Sequence, residues 1–419
     1  MNLPRKKIKV LLSANLETEF VFLKSVSAQL NTGVFEIFFA NELYKVIGNS
    51  STRYSEAYAH SLICKICSAF KLGFVKSFFD AFSKYFLAHR ILRESQPDII
   101  ILGTDSAYFS LFIVKKAKDE GIPVVVMPFS MCNQTELTSY VKKNVTYRVP
   151  QKGLLALFLK LLPSKWFITN DGIRYICYAQ TNPLIQEILS ISPRDPWLIC
   201  GGNSDYVFVG SQFEARFYMD SGVQLDKIKL YSQESRSEKN EPSTQEQFDV
   251  LWSVPPDHIN NELFSSFEEM VEWHLNIFEG EQLKVLLSPH PRIPQEKLNS
   301  FLISESQKVS YLPIKELIPN CKYFIASQSA TIRFALAKKR IILNFRIYDL
   351  PYSEYSNMPM VKEVSSKEDF VSFVKILKSG SLNPKEVYEE FSIDFFEAKD
   401  SNLNGLLLEL MVEKPTNFV

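Results

Sequence analysis

The stretch PDIIILGTDSAYFSLFIVKKAKDEGIPVVVMPFS, residues 97–130, sets two uninterrupted apolar runs on either side of a helical segment closed by glycine. Neither run alternates with polar residues, which is how a strand reads when both of its faces are covered. Two such strands joined through a helix form a right-handed crossover, the unit of a parallel sheet with helices packed on it. The chain opens in the same way, with an apolar run at 7–14, a helix-compatible stretch from Glu17 to Leu30 and a second strand-like run at 34–40. At 205–232 the order is again strand, helix, glycine stop and short strand. Residues 55–95 read as a long helical region in which Phe74, Phe78, Phe82 and Phe86 recur every fourth position, predicting an apolar face packed on the sheet. Residues 140–200 carry no regular period.

A second series of strands and helices follows QESRSEKNEPSTQEQ, residues 233–247, a polar and charged run with almost no apolar residues. With 419 residues the chain exceeds one ordinary core, and the expected architecture is α/β with two Rossmann-like domains. The domains are placed at 1–232 and 248–390, joined by the linker 233–247 and followed by a C-terminal helical segment, 391–419.

Lys plus Arg and Asp plus Glu both number 47, so no net field favours nucleic acid as a partner. The six cysteines are scattered through apolar segments, as expected of a reducing cytoplasm; Cys64 and Cys67 have C-x-x-C spacing in a helical context and read as buried thiols. No run is long and apolar enough to span a bilayer, and the closest, GLLALFLKLLP at 153–163, contains a lysine. That basic, apolar stretch leaves peripheral contact with the inner membrane as an open role.

Three short motifs fall just past strands of the second domain, where open α/β sheets bind ligands. In SPHPRIP, His290 lies between Pro289 and Pro291 and is followed by Arg292. A histidine held by prolines can donate to a phosphate oxygen, with the arginine adding charge; an ordinary surface loop is the plain alternative. In SQSAT, the hydroxyl residues Ser327, Ser329 and Thr331 precede a helix, as an anion site or as simple N-caps. In PPDH, Asp257 follows the first strand of the domain, and it equally suits an N-cap. In the first domain, Glu136 of the polar loop NQTELTSY is the first choice for an acid or base, and Asp105 of GTDSAY the second. Tyr352 and Tyr355 of DLPYSEY are candidates to line a sugar or acceptor site.

The His-Pro pair and the downstream hydroxyl motif together resemble those of GT-B glycosyltransferases, in particular bacterial sialyltransferases and Kdo transferases that use CMP-activated sugars. The segment DYVFVGSQFEARFYMDSGVQLDKI is similar to the closing strand and helix of the N-terminal domain in such enzymes, and the resemblance spans about 97–345. It implies a donor site in the second domain, in which His290, Pro291, Ser327 and Ser329 hold the nucleotide phosphate with support from Arg292 and Thr331. It also implies an acceptor side in the first domain, a cleft between the two, and Asp257 as the counterpart of the nucleophile in retaining β-Kdo transferases.

The expected activity is transfer of Kdo or a related ulosonic acid from CMP to a surface polysaccharide, the acceptor being a glycan or lipid-linked glycan. No D-x-D motif occurs, so no metal and no cofactor are expected beyond the nucleotide-sugar donor. The sequence departs from the family pattern in having Ser288-Pro289 where a lysine commonly precedes the His-Pro pair, and Gln328 within the hydroxyl motif. The acidic motif of sialyltransferases is absent, which turns the resemblance toward the Kdo type. CDP-polyol phosphotransferases, UDP-sugar 2-epimerases and an inert nucleotide-binding assembly partner share the same frame and stay as alternatives.

Overall fold

The computed structural model describes residues 7–15, 17–41, 45–47, 50–52, 73–129, 131, 134–178, 182–232, 247–256, 263–290, 292–302, 304–348, 355, 358–389, 391, 395, 398 and 402–412. The chain divides into two compact units, Met1–Gln233 with Ala398–Val419, and Glu234–Glu397.

The first unit contains β1 (Ile8–Ala14), β2 (Phe35–Asn41), β3 (Lys45–Ile47), β4 (Ser50–Thr52), β5 (Ile99–Leu102), β6 (Val124–Val126), β7 (Phe167–Asn170), β8 (Ile173–Ile176), β9 (Tyr206–Val209) and β10 (Ile228–Leu230). Eight of these form one sheet in the order β10-β9-β6-β5-β1-β2-β3-β4. The pairings from β10 to β2 are parallel, and β3 and β4 add an antiparallel hairpin at the edge. Ile99 to Leu102 and Val124 to Val126 are wholly buried, which explains why these strands read as continuous apolar runs. The chain leaves β1 toward β2 and later returns to β5 on the other side of β1, so the topological switch lies between β1 and β5.

The C-terminal residues rejoin this unit. The helix Leu403–Val412 buries Leu403, Leu407 and Leu410 in the core that holds Val10, Leu12 and Ile99. Asn404 ties it down, accepting from the Asn31 backbone N–H at 2.9 Å and donating to the Gln29 carbonyl at 3.0 Å.

The second unit holds β11 (Phe248–Val254), β12 (Val285–Pro289), β13 (Gln307–Val309), β14 (Cys321–Ala326), β15 (Ile341–Phe345) and β16 (Val361–Val364). They form one parallel sheet in the order β13-β12-β11-β14-β15-β16. That is the Rossmann order, with its switch between β11 and β14. Two Rossmann-like α/β units are therefore present, as the alternating pattern predicts.

Two expectations are corrected. In the helix Gly73–Ser95 the buried positions include Ala81, Ala88, Ile91 and Leu92, whereas Phe82 and Phe86 are 42% and 55% exposed. Phe82 and Phe86 therefore lie on the outer side of this helix, and Ala81, Ala88, Ile91 and Leu92 make its buried side. From Gln134 onward NQTELTSY is not a loop: Gln134–Lys143 is a helix, since Leu137 and Val141 stand four residues apart and pack on a satellite core with Trp166 and Trp197. That core also organises much of the aperiodic region. The Trp166 indole donates to Glu187 at 2.7 Å and the Trp197 indole to the Lys165 carbonyl at 2.9 Å.

Among the described residues, no helix is long and apolar enough to cross a membrane. Cys177, Cys200 and Cys321 are buried thiols; Cys64, Cys67 and Cys132 lie outside the described residues.

Candidate functional site

The carboxyl ends of β12, β11 and β14 stand side by side at the switch of the second sheet. β11 pairs Val254 with Pro289 on one flank and Trp252 with Ile325 on the other, so the segments after Pro289, Val254 and Ala326 emerge from one edge. The outer two are separated by two strand spacings, about 10 Å.

His290 begins the first of these segments. Its backbone N–H donates to the Val254 carbonyl at 3.1 Å, and its own carbonyl accepts from Ile293 at 2.8 Å, closing a tight turn whose far end is anchored by buried Ile293. Within the turn the Arg292 backbone N–H donates to His290 Nδ1 at 3.2 Å. An imidazole nitrogen that accepts carries no proton, so the neutral ring bears its hydrogen on Nε2 and can donate there. Burial, with the Arg292 charge second, lowers the His290 pKa below the ordinary histidine value and keeps the ring neutral at pH 7. Arg292 is exposed, and Pro291 lies outside the described residues.

The third segment is held differently. Gln328 adopts a left-handed backbone, φ 47°, which a non-glycine residue keeps only under constraint. Buried Asn344 of β15 supplies that constraint. Its Oδ1 accepts the Gln328 N–H at 2.8 Å, while its Nδ2 donates to Glu363 of β16 at 2.9 Å. Gln328 Oε1 in turn accepts the Tyr348 N–H at 3.2 Å. Gln328 is thus the pivot that turns the chain from β14 into the helix Ile332–Ala337.

Ser327 is buried, and the Ser329 and Thr331 hydroxyls bond each other at 2.8 Å. One hydroxyl hydrogen is used between the two, so the pair keeps one O–H donor. Thr331 stands at the N-cap without a side-chain cap bond, and its N–H turns back to Ser329 Oγ at 3.3 Å. The Ile332 N–H goes to the Ser329 carbonyl at 3.1 Å. The helix start therefore offers hydroxyl donors more than the open backbone donors that the sequence suggests.

Asp257 and Tyr352 lie outside the described residues. Tyr355 is buried, 1% exposed, and is a core residue in place of a site lining.

In the first unit, Glu136 belongs to the helix Gln134–Lys143. Asp105 is fully buried, and its carboxylate accepts backbone N–H groups from Gly201, Asn203 and Ser204 at 3.0, 2.7 and 2.6 Å. Burial pushes its pKa up while these donors oppose the shift. With its oxygens committed to the loop before β9, Asp105 anchors structure and is not available as an acid or base.

A second buried carboxylate, which the sequence reading missed, sits at the switch of the first sheet. Glu19 accepts from the Asn15 N–H at 2.6 Å and from the Gly103 N–H at 2.9 Å, joining the ends of β1 and β5. A Cβ on Gly103 would stand 2.5 Å from the Glu19 side chain, so the glycine is required by that approach. The signal in the sequence was a glycine directly after a buried strand. Among the described residues, no cluster of three or more histidine, cysteine, aspartate or glutamate side chains is placed to hold a metal ion.

Two Rossmann-like units in one chain, each with its switch point at the carboxyl edge of a parallel sheet, define the GT-B class of fold. Solved structures agree with that assignment. The calicheamicin glycosyltransferase CalG4 is similar with a TM-score of 0.59 at 10% identity, over 98% of this chain and 100% of that one. A Listeria monocytogenes structure described as a putative UDP-N-acetylglucosamine 2-epimerase has a TM-score of 0.53 at 11% identity, over 99% and 100% of the two chains. The S. aureus protein MnaA, solved with UDP, has a TM-score of 0.51 at 11% identity, over 98% and 100%. No family model and no curated protein matches the sequence.

Proposed function

We propose that the chain is a glycosyltransferase that takes a sugar from a CMP-activated donor, with Kdo or a related ulosonic acid as the sugar and a surface glycan, free or lipid-linked, as the acceptor. The observation that supports it is the neutral His290 ring, held with its Nε2–H available, two strands from the Ser329–Thr331 hydroxyl pair at the switch of a Rossmann sheet. A CMP leaving group carries a single phosphate and needs less neutralisation than a diphosphate, and one imidazole N–H with hydroxyl donors suits it without a metal.

In this reading Asp257 attacks the anomeric carbon as that carbon's bond to the CMP phosphate oxygen breaks, CMP leaving with the bonding pair. The acceptor hydroxyl then displaces the aspartyl ester, and Glu136 takes its proton. CalG4, a glycosyltransferase, shares the fold.

The second reading, a UDP-sugar 2-epimerase, is favoured by what the Listeria and S. aureus structures are described as binding or converting. Against it, Glu19 and Asp105, two buried carboxylates at the edge of the first sheet, are committed to backbone donors.

The test is a panel of CMP-, CDP- and UDP-activated compounds scored by thermal shift and nucleotide release. CMP compounds are expected to stabilise the chain and release CMP. Stabilisation by UDP compounds alone would overturn the donor assignment. Asp257→Ala should abolish transfer while CMP affinity stays within about twofold; normal transfer by that variant would remove the covalent mechanism.

A further inference from the structure

Between β6 and β9 the chain leaves the first sheet and builds the satellite core around Val141, Leu159, Trp166 and Ile176. Its helix Leu154–Leu159 runs into a turn that ends at Pro163. Leu159 and Leu162 belong to that core, and they and Ala156 are buried, 1%, 8% and 4% exposed. The opposite side carries Leu157, Phe158 and Leu161, which are 61%, 48% and 79% exposed. A surface helix ordinarily turns polar residues outward, and here Lys160 alone does so among three large apolar side chains.

The stretch of chain that carries this face is one-sided in charge. From 134 to 178 the sequence has seven Lys and Arg residues against two acidic ones, Glu136 and Asp171, in a chain whose totals balance at 47 each. Lys143, Arg148, Lys152, Lys160 and Arg174 of that segment are exposed. Protein interfaces are depleted in lysine, whereas an apolar stripe bordered by lysines matches the boundary between lipid tails and anionic head groups.

We propose that this face is a peripheral docking surface for an anionic bilayer. Leu157, Phe158 and Leu161 enter the head-group boundary, and Lys152 and Lys160 meet lipid phosphates. The inference stands apart from the proposed activity, since it uses none of the residues assigned to the donor.

The experiment is co-sedimentation of the full chain with vesicles of phosphatidylcholine alone and of phosphatidylcholine mixed with phosphatidylglycerol. The chain is expected to bind the mixed vesicles at least tenfold more tightly, and high salt should erase most of that preference. Leu157→Ser with Leu161→Ser should lower binding to the mixed vesicles about tenfold or more, with the thermal midpoint unchanged because both side chains are exposed. Lys152→Glu with Lys160→Glu should abolish the preference for anionic lipid. Absence of vesicle binding, or binding undiminished by the leucine variant, overturns the proposal. Self-association in solution that the leucine variant abolishes, without vesicle binding, overturns it in favour of a protein partner.

Discussion

The backbone N–H of Arg292 donates to Nδ1 of His290 at 3.2 Å, so the residue after the His-Pro pair fixes the tautomer of the histidine before it. The proline-bounded motif then does more than stiffen a loop. It decides which ring nitrogen carries the proton, and that nitrogen is the only one left to meet a ligand.

His290 should therefore take up its proton only below the ordinary histidine value. Its folded pKa is lowered by burial first and by Arg292 second, so an NMR titration of the ring should show a midpoint below 6.5. His290→Asn keeps an acceptor near the Nδ1 position and should leave thermal stability within about 0.5 kcal/mol. It loses the Nε2–H and should weaken CMP binding about tenfold by calorimetry, while His290→Gln, with a longer amide, should recover part of that loss. Unchanged CMP affinity in both variants would remove His290 from the phosphate site.

Asn344 supports the hydroxyl segment from beneath, and its two bonds separate under substitution. Asn344→Leu leaves the Gln328 N–H without its partner and should destabilise the second unit by about 2 kcal/mol in urea unfolding. Asn344→Asp keeps that acceptor but sets a carboxylate where the amide donated to Glu363. It should be less stable than wild type at neutral pH and recover on mild acidification, as protonation restores a donor. A pH-independent defect would show that the Glu363 bond does not matter.

Gly103 and Glu19 should behave as one unit. Gly103→Ala drives a Cβ to within 2.5–2.8 Å of the Glu19 side chain and should cost about 1–3 kcal/mol. Glu19→Ala leaves the Asn15 and Gly103 N–H groups without their acceptor, at about 2–3 kcal/mol. The double variant removes the clash along with the carboxylate, so the two effects should sum to less than additive in the unfolding of the first unit. Strict additivity would mean the carboxylate is not what excludes a side chain at 103.

The sequence made the sheets legible because buried parallel strands are short apolar runs that need no partner to be recognised, as at Ile99–Leu102 and Cys321–Ala326. It also marked the sheet edge that carries His290 and Ser327, since strand ends follow from strand positions. What it hid were roles that depend on a distant partner. Asp105 looked like a base candidate until the N–H groups near residue 201 closed on it, and Glu19, inside an ordinary helix, gave no sign of reaching Gly103. Phe82 and Phe86 show the limit of periodicity, which finds an apolar stripe without saying which side of the helix meets the core. The satellite core failed for a related reason: its order comes from tryptophans pairing with Glu187 and the Lys165 carbonyl, contacts that leave no period in the chain.

His274 gives the second unit an acid-sensitive core. It is fully buried, stacks on Trp252 with ring centroids 4.4 Å apart, and bonds through Nδ1 to the Met270 carbonyl at 2.7 Å. Its Nε2 is buried without a hydrogen-bond partner, and burial lowers its pKa to about 3, with nearby Lys367 adding to the shift. In the unfolded chain the same ring titrates near the ordinary value of about 6.5. Between these two values the unfolded state binds the extra proton, so stability is fully present above pH 6.5 and falls as pH drops toward 3, at about 1.4 kcal/mol per pH unit. His274→Phe preserves a ring against Trp252 and removes the titrating group. Urea unfolding of the second unit from pH 7 to pH 4 should show a steep loss for the wild type and a shallower one for the variant, the curves converging or crossing on the acid side. Equal slopes would mean that other groups, and not this histidine, set the acid limit of the fold.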